Sequence, residues 1–243
     1  EGRYELASLI ATGGMGQVWK GRDQELERDV AIKVLREEYA GDEGFLKRFR
    51  AEARHTAALS HEGIAALYDY GELDGRAYIV MELCPGRPLS DIIEENPGGL
   101  PEKRVVQLMI ELARALDAAH SKGVVHRDVK PENVLVDEKD GWSMKITDFG
   151  IARSKDQARL TKTGLVMGTA QYLSPEQARG QLVDARSDIY SAACVMFEML
   201  TGRPPFTGDT PVSIAYQHVR EDPQPPSAFN PAVTPALDAV ILT

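Results

Sequence analysis

The sequence contains few cysteines, no long apolar run and no excess of basic residues. Its two cysteines, Cys84 and Cys194, are far apart and form no CxxC pair, so neither a zinc site nor a disulfide framework is indicated, and a reducing compartment is favoured. The most apolar stretch, residues 189–200, contains Glu198 and is too short to span a bilayer. With 37 acidic residues against 28 Lys and Arg, the formal charge of -9 argues against a general binder of nucleic acid or of anionic membranes.

The rest of the composition is that of a folded globular protein. At 243 residues, 43% hydrophobic and 27% charged, the chain is long enough for one large domain or two small lobes. Short apolar runs bounded by Gly and charged turns predict five strands, at residues 4–10, 17–21, 29–34, 68–71 and 77–82. Between the third and fourth strands, apolar residues four positions apart predict one amphipathic helix, and they are Phe45, Phe49, Ala53 and Ala57.

The pattern changes near residue 85, where a Pro- and Gly-containing segment separates the strands from helical sequence. Helices are predicted at residues 102–122, 188–201 and 210–220, and residues 237–243 predict the start of another. We therefore expect a small sheet lobe over residues 1–83, a hinge over 84–86 and a larger, mostly helical lobe over 87–243.

A glycine-rich segment, residues 10–18, lies between the first two predicted strands. Its glycines would let backbone amides approach phosphate groups without obstruction by side chains. Taken alone, the segment is explained better as an ordinary hairpin turn. Because it leads into a strand and lacks the GxxxxGK[ST] pattern, it indicates neither a dinucleotide-binding fold nor a P-loop.

One lysine, Lys33, ends an otherwise apolar strand segment with the sequence VAIK. A buried ammonium group is destabilising by several kcal/mol unless it is paired with an anion. Glu52, on the polar side of the amphipathic helix, is the expected partner, and the pair would direct Lys33 towards phosphate oxygens. The alternative is a surface lysine whose stem lies along the sheet while its charge stays in water.

The densest polar cluster has the sequence HRDVKPENVL, over residues 126–135, and is followed by a DFG sequence. Asn133 and Asp148 offer hard oxygen ligands of the kind that Mg²⁺ accepts together with phosphate oxygens. Asp128 would act beside them as a base, and Lys130 would neutralise the transferred group. The alternative, a polar loop with a turn, does not explain why the cluster lies between apolar strands.

Taken in this order, the segments resemble the protein kinases, and within them the bacterial eukaryote-like Ser/Thr kinases of the actinobacterial receptor type. The resemblance covers nearly the whole chain and also rests on GTAQYLSPE at residues 168–176 and SDIYS at residues 187–191. It implies an α+β bilobal kinase fold, with a small antiparallel-sheet N-lobe that carries one main helix and a larger, mostly helical C-lobe. The implied activation segment covers residues 148–176.

By that resemblance, the chain would use Mg²⁺ or Mn²⁺ to transfer the γ-phosphate of ATP to Ser/Thr hydroxyls of proteins. The implied catalytic residues are Lys33 with Glu52 as its clamp, Asp128, Lys130 and Thr169, and the implied metal ligands are Asn133 and Asp148. The implied ATP-binding residues are Ile10, Ala11, Thr12, Gly13, Gly14, Met15, Gly16, Val18, Ala31, Lys33, Met81, Glu82, Cys84 and Leu135. Lys130 and Thr169 match the Ser/Thr subclass rather than the tyrosine subclass.

The resemblance also implies a regulatory site in the activation segment. Thr161 and Thr163 are the implied phosphosites, and the implied phosphate pocket consists of Arg48, Arg127 and Arg153. A phosphothreonine carries a charge of about -1.5 to -2. We hypothesise that it gathers the three arginines, so that the activation segment and the main N-lobe helix become ordered together.

The sequence departs from the family pattern at three places that matter here. Ala11 replaces the first glycine of GxGxxG, and Ser174 replaces the alanine of APE, but neither change removes a reacting group. The family's last helices should follow residue 243, so we expect a C-terminally truncated catalytic domain. Glu176 would then lack its usual arginine and would either find another partner or be exposed.

Other functions fit parts of the sequence. A nucleotide-binding pseudokinase acting as a scaffold would keep the fold without transfer, although every catalytic position is filled. A small-molecule phosphotransferase shares the lobes, but the threonine-rich activation segment argues against it. A non-enzymatic interaction domain would require the three polar clusters to coincide by accident.

The resemblance implies a role in cell growth, cell division or cell-wall signalling, with protein substrates that carry Ser or Thr acceptors. Phosphothreonine-reading domains are candidate partners, and a homodimer for trans-autophosphorylation is left undecided. A membrane tether and an extracellular sensor would lie beyond residue 243, with the kinase on the cytoplasmic side.

Overall fold

The computed structural model describes residues 2–14, 16–39, 43–73, 75–149 and 170–242. Five strands form one antiparallel sheet: β1 (Tyr4–Thr12), β2 (Gly16–Asp23), β3 (Arg28–Leu35), β4 (Leu67–Leu73) and β5 (Arg76–Glu82). Their order across the sheet is β1-β2-β3-β5-β4, so β3 lies at its centre. All five predicted strands are confirmed, each with one or two residues added at one or both ends.

Helix α1 (Glu43–Ala57) packs its apolar side against this sheet, where it meets Leu35 and Ile79. The first three members of the predicted apolar series are buried, whereas Ala57 is exposed. The predicted buried face is therefore wrong at its last position. A spacing of four residues drifts around a helix of 3.6 residues per turn, and Thr56 takes the buried place instead.

The rest of the described chain is mainly helical. Its helices are α2 (Leu89–Glu94), α3 (Glu102–His120), α4 (Pro175–Ala178), α5 (Ala185–Thr201), α6 (Pro211–Arg220) and α7 (Pro235–Ile241). A small sheet consists of β6 (Arg87–Pro88), β7 (Val134–Asp137) and β8 (Ser143–Ile146). The predicted helices are confirmed with ends that differ by one to three residues, and no helix within the described ranges is long and apolar enough to cross a membrane.

Local hydrogen bonds explain where the principal helices begin and end. The Asp184 side chain caps α5 by accepting from the backbone N–H of Arg186, and Gly202 ends that helix with φ of 72°. Thr210 and Ser213 form a reciprocal capping box at the start of α6. These caps fix the register of the two helices against which the C-terminal segments pack.

The main core lies between α3 and α5 and also takes in residues that precede β4. Leu59 and Ile64 are buried in this core, and Ile64 forms a parallel β-bridge with Ile146. The N-terminal sheet is therefore joined to the helical part through apolar side chains of the segment between α1 and β4. The loop between α3 and β7, which carries the HRD sequence, lies at this junction.

We predict that Phe49→Ala lowers the free energy of unfolding by about 3–5 kcal/mol, because it removes a large buried side chain between α1 and the sheet. Lys47→Ala is the matched control, since Lys47 is exposed on the same helix and its loss should change stability by less than about 0.5 kcal/mol. Urea unfolding measures both. A similar small loss in both variants would contradict the assigned face of α1.

Candidate active site

A buried carboxylate fixes the loop between α3 and β7. Asp188 on α5 is 1% exposed and accepts hydrogen bonds from the backbone N–H groups of His126 and Arg127, each at 2.7 Å. Nε2 of His120, at the end of α3, lies 2.7 Å from the same carboxylate. Arg127 has φ of 66°, a left-handed conformation that costs a non-glycine residue on the order of 1–3 kcal/mol unless its surroundings hold it. Asp188 supplies that support.

The buried ring of His126 joins the same loop to the strand end before the DFG sequence. Its Nδ1 lies 3.2 Å from the backbone nitrogen of Asp128, its Nε2 lies 2.9 Å from the carbonyl oxygen of Thr147, and the ring packs against Phe149. Burial lowers the pKa of His126, so the ring is neutral at pH 7. Nδ1 therefore accepts from Asp128, and Nε2 donates to Thr147.

Two polar side chains of the loop lie against Asp128. Nζ of Lys130 lies 3.3 Å from its carboxylate. The amide nitrogen of Asn133 donates to its carbonyl oxygen at 2.8 Å. These contacts occupy the amide nitrogen of Asn133, and no described residue donates a hydrogen bond to its amide oxygen.

Lys33 on β3 forms an ion pair with Asp148, and its Nζ lies 2.7 Å from Oδ1. The two residues are 115 positions apart, so the pair connects the five-stranded sheet to the DFG sequence. Burial raises the pKa of Asp148, but the positive charge of Lys33 and its hydrogen bond outweigh that effect and hold the pKa below its usual range. Asp148 also has a left-handed conformation, with φ of 59°.

Glu52 does not pair with Lys33 in this structure, contrary to the expectation from the sequence. Its carboxylate lies 3.3 Å from Nη1 of Arg127 instead. The position of α1 explains the difference, because it directs Glu52 towards the HRD loop while Asp148 meets Lys33. The expectation that a carboxylate pairs with Lys33 is therefore correct, but the carboxylate is that of Asp148 and not that of Glu52.

The predicted ATP-binding residues lie on β1, β2, β3, β5 and β7 and in the connections beside them. Ala31 is buried in β3, Ile10 on β1 is 52% exposed, and Val18, Met81 and Leu135 are half-buried. The backbone N–H of Glu82 donates to Ala66, and its side chain pairs with Lys145. Behind Met81 there is a cavity of only about 10 Å³, lined by Thr56, Ala65, Leu67, Met81, Asp148 and Phe149.

The glycines of the predicted phosphate loop differ in how much space the structure leaves for a side chain. The backbone N–H of Gly13 donates to the carbonyl of Gly16 at 2.8 Å and closes the turn between β1 and β2. A Cβ on Gly16 would lie 2.0 Å from the Val34 carbonyl oxygen, so strand pairing excludes a side chain there. A Cβ on Gly14 would meet nothing within 4 Å. The lack of a side chain at Gly14 is therefore not explained by packing, and it suits a ligand that approaches the backbone.

The oxygen donors fit a magnesium ion that is held partly by phosphates and water. Asn133 contributes an amide oxygen and Asp148 a carboxylate, both hard ligands. Within the described ranges no three His, Cys, Asp or Glu side chains are arranged to hold a metal ion. A site with few protein ligands is the arrangement that Mg²⁺ adopts with nucleotide phosphates.

Several residues of interest from the sequence lie outside the described part of the chain. They are Met15, Arg153, Thr161, Thr163, Thr169 and the side chain of Arg48. Their proposed roles stay predictions.

Sequence reasoning gave no role to Asp188, His120 or Gln177. Gln177 on α4 donates to the Arg127 carbonyl oxygen at 2.8 Å, while Asp188 accepts from the backbone N–H of the same residue. The sequence did contain a signal for Asp188, because this carboxylate directly precedes the most apolar stretch of the chain. An acidic residue that is buried beside such a stretch needs hydrogen-bond partners, and these would lie elsewhere in the fold. Glu176 finds another partner, as expected, since the Ser187 hydroxyl donates to its carboxylate.

Residues 4–235 match the family model described as the protein kinase domain. The chain belongs to the protein kinase family. It is 51% identical over 246 residues to the serine/threonine-protein kinase PknB of Mycobacterium tuberculosis, and 50% identical over 245 residues to PknB of Mycobacterium leprae. Both matches cover 99% of this chain and 39% of the relative, so the chain spans about two fifths of the length of these curated relatives.

Solved kinase structures agree with this assignment. The crystal structure of the PknI kinase domain of Mycobacterium tuberculosis aligns with a TM-score of 0.78 and 30% identity, over 99% of this chain and 86% of that one. Among the curated sequences, the chain is also 49% identical over 247 residues to a probable serine/threonine-protein kinase of Streptomyces coelicolor, and the match covers 99% of this chain and 36% of the relative. The predicted kinase fold, with a sheet N-lobe and a helical C-lobe, is confirmed.

We predict that Gly16→Ala destabilises the kinase fold by on the order of 1–3 kcal/mol, because the new methyl group overlaps the β3 backbone. Gly14→Ala is the matched variant and should change stability by less than about 0.5 kcal/mol, while it weakens the binding of ATP. Urea unfolding and titration calorimetry with ATP measure the two effects. Equal losses of stability would contradict the distinction between the two glycines.

Proposed function

We propose that this kinase domain transfers the γ-phosphate of ATP to serine and threonine hydroxyls of proteins. The observation that carries the proposal is the contact of Lys33 with Asp148, 2.7 Å across 115 positions, beside the loop that holds Asp128, Lys130 and Asn133. The names of the relatives, which are serine/threonine-protein kinases, support the choice of acceptor.

Each residue type suits its proposed part. Lys33 would hold phosphate oxygens of ATP, and Asn133 and Asp148 would hold the magnesium ion, which neutralises phosphate charge when bound. The Asp128 carboxylate would orient the acceptor hydroxyl and take its proton as the oxygen is phosphorylated. Lys130, 3.3 Å from that carboxylate, would neutralise negative charge that develops beside it.

The proposed activation step depends on which anion Arg127 binds. In this structure Arg127 holds Glu52, and both side chains are partly exposed, so the pair stabilises the fold by no more than about 1 kcal/mol. A phosphothreonine at 161 or 163 carries more negative charge and more acceptor oxygens than a carboxylate. It would take Arg127, and Glu52 would then be released to serve as the clamp of Lys33. Arg48 and Arg153 are the other proposed members of this phosphate pocket.

The finer biological role is also a proposal, and it rests on the family resemblance. The curated relatives are more than twice as long as the present chain, so the proposed membrane tether, extracellular sensor and role in cell growth, cell division or cell-wall signalling would concern a longer protein. Protein substrates, phosphothreonine-reading partners, a homodimer for trans-autophosphorylation and a cytoplasmic position of the domain belong to the same proposal.

We expect the chain, incubated with ATP and Mg²⁺, to gain phosphate on Thr161 or Thr163, as read by intact mass and phosphosite mapping. Asp128→Asn should reduce the rate by about 10²–10⁴-fold, the usual contribution of a general base. Repeating the incubation with Mn²⁺ tests the metal. Nucleotide binding without transfer in the unaltered chain would favour the pseudokinase alternative.

We further expect that replacing both Thr161 and Thr163 by alanine lowers the rate of transfer to a peptide by about tenfold or more, within the range of typical coupling free energies. The two single variants identify which threonine acts. Glu52→Gln in the unphosphorylated chain removes the charge that pairs with Arg127 and leaves both threonines in place. It therefore tests the contribution of the Glu52–Arg127 ion pair independently of the phosphosites. Full activity of the double alanine variant would contradict activation by phosphorylation.

A further inference from the structure

The side chain of His218 on α6 is 4% exposed and contacts three different parts of the C-lobe. Its Nδ1 lies 2.7 Å from the hydroxyl oxygen of Tyr190 on α5, and its ring packs edge-on against Phe206, with centroids 4.9 Å apart. Its third neighbour is the main chain of Ala170 and Gln171, in the turn that precedes α4. One buried ring therefore connects α5, α6 and this turn.

The protonation of His218 follows from its surroundings. Burial lowers its pKa to about 4, although the backbone groups of Gln171 and Ala170 act in the opposite direction. Burial also raises the pKa of Tyr190, so its hydroxyl is protonated at pH 7. The O–H group therefore donates a hydrogen bond to Nδ1 of His218. The imidazole proton is then on Nε2.

That Nε2–H group is buried, and the backbone groups of Gln171 and Ala170 lie close enough to act on it as weak hydrogen-bond partners. Among the described residues, however, none meets the distance and angle of a full hydrogen bond to it. Buried donors without a partner are rare in native proteins, and each one calls for a reason. The polar groups that face the ring on this side belong to the backbone of Ala170 and Gln171. A small movement of this turn would complete the hydrogen bond.

The turn lies close to the catalytic loop, to which it is connected through α4. Ala170 and Leu173 are buried with Phe206 and Ile214, so the turn rests on the same cluster as His218. The next residues lead into α4, where Gln177 donates to the Arg127 carbonyl, one residue before Asp128. A protein whose hydroxyl reaches Asp128 from this side therefore meets the Ala170–Tyr172 turn.

We propose that His218 is a positioning residue for the acceptor, and that its buried Nε2–H donates to the main chain of the Ala170–Tyr172 turn when an acceptor protein binds. The inference rests on the proposed kinase function and adds to it a residue that determines acceptor affinity. His218 touches neither the predicted nucleotide site nor Asp128, so its effect should be confined to the acceptor.

The test compares His218→Gln with His218→Asn. A glutamine amide can place an N–H near the position of Nε2, whereas an asparagine amide reaches only the position of Nδ1. With a degenerate library of Ser/Thr peptides and the best peptide drawn from it, we expect His218→Asn to raise the acceptor KM by roughly 3- to 10-fold, the effect of losing one hydrogen bond. His218→Gln keeps the donor but removes the acceptor of the Tyr190 hydroxyl, so it should raise the acceptor KM by at most about threefold and by less than His218→Asn, and the KM for ATP should be unchanged in both.

Two further variants keep the proposal testable if an asparagine at 218 unfolds the chain. Tyr190→Phe removes the hydroxyl that fixes the ring without removing a buried ring, and it should raise the acceptor KM by roughly threefold. Ile214→Val trims the same cluster without touching a polar group, so it should lower thermal stability and leave the acceptor KM unchanged.

Equal acceptor KM values for His218→Asn and His218→Gln, or a rise in Ile214→Val as large as in His218→Asn, would overturn the positioning role. A parallel rise in the KM for ATP would overturn it as well, because it would indicate a general loss of structure. Failure of the unaltered chain to phosphorylate any peptide of the library, with ATP still bound, would contradict the proposed function itself.

Discussion

The catalytic loop depends on one buried charge, the carboxylate of Asp188. It accepts hydrogen bonds from the backbone N–H groups of His126 and Arg127, and these bonds, with the contact to His120, stabilise the carboxylate in its buried position. A buried carboxylate is tolerated only where its oxygens have such partners, and removing them leaves an uncompensated charge. Because Asp188 belongs to α5, at the centre of the main core, the position of the loop is set by the most rigid part of the C-lobe.

From this anchor, a continuous series of contacts leads to the N-lobe. His126 connects the loop to Thr147, which directly precedes Asp148, and Asp148 reaches Lys33 on β3. Arg127, next to His126 in the loop, and Asp148 both have left-handed backbone conformations, which are unfavourable for residues other than glycine. Strain at both ends of the series, held by hydrogen bonds and an ion pair, is characteristic of a site in which several side chains must be positioned together.

The five strands of the large sheet and the longer helices could be predicted from the sequence to within a few residues, because hydrophobic periodicity and capping residues act locally. The short helices α2 and α4 and the small sheet were not predicted, since segments of two to six residues are too short to show a clear periodicity. The order of polar segments was also sufficient to identify the family. The pairing of Glu52 could not be predicted, since it depends on where α1 lies relative to the loop, and periodicity defines only which face of a helix is buried. The buried Nε2–H group of His218 could not be predicted either, because its surroundings are formed by residues 170, 190 and 218, which are close in the fold but distant in the sequence.

The predicted and observed partners of Lys33 become compatible if the charged residues of the cleft exchange partners. In this structure the two cations, Lys33 and Arg127, each hold a carboxylate, at 2.7 Å and 3.3 Å. Phosphate groups offer more charge and more acceptor oxygens than carboxylates, so ATP and a phosphothreonine would compete for both cations. On the proposed function, Asp148 would then be free to bind the metal ion and Glu52 to approach Lys33. On this proposal, the two ion pairs give Lys33 and Arg127 carboxylate partners at the positions where phosphate groups would bind.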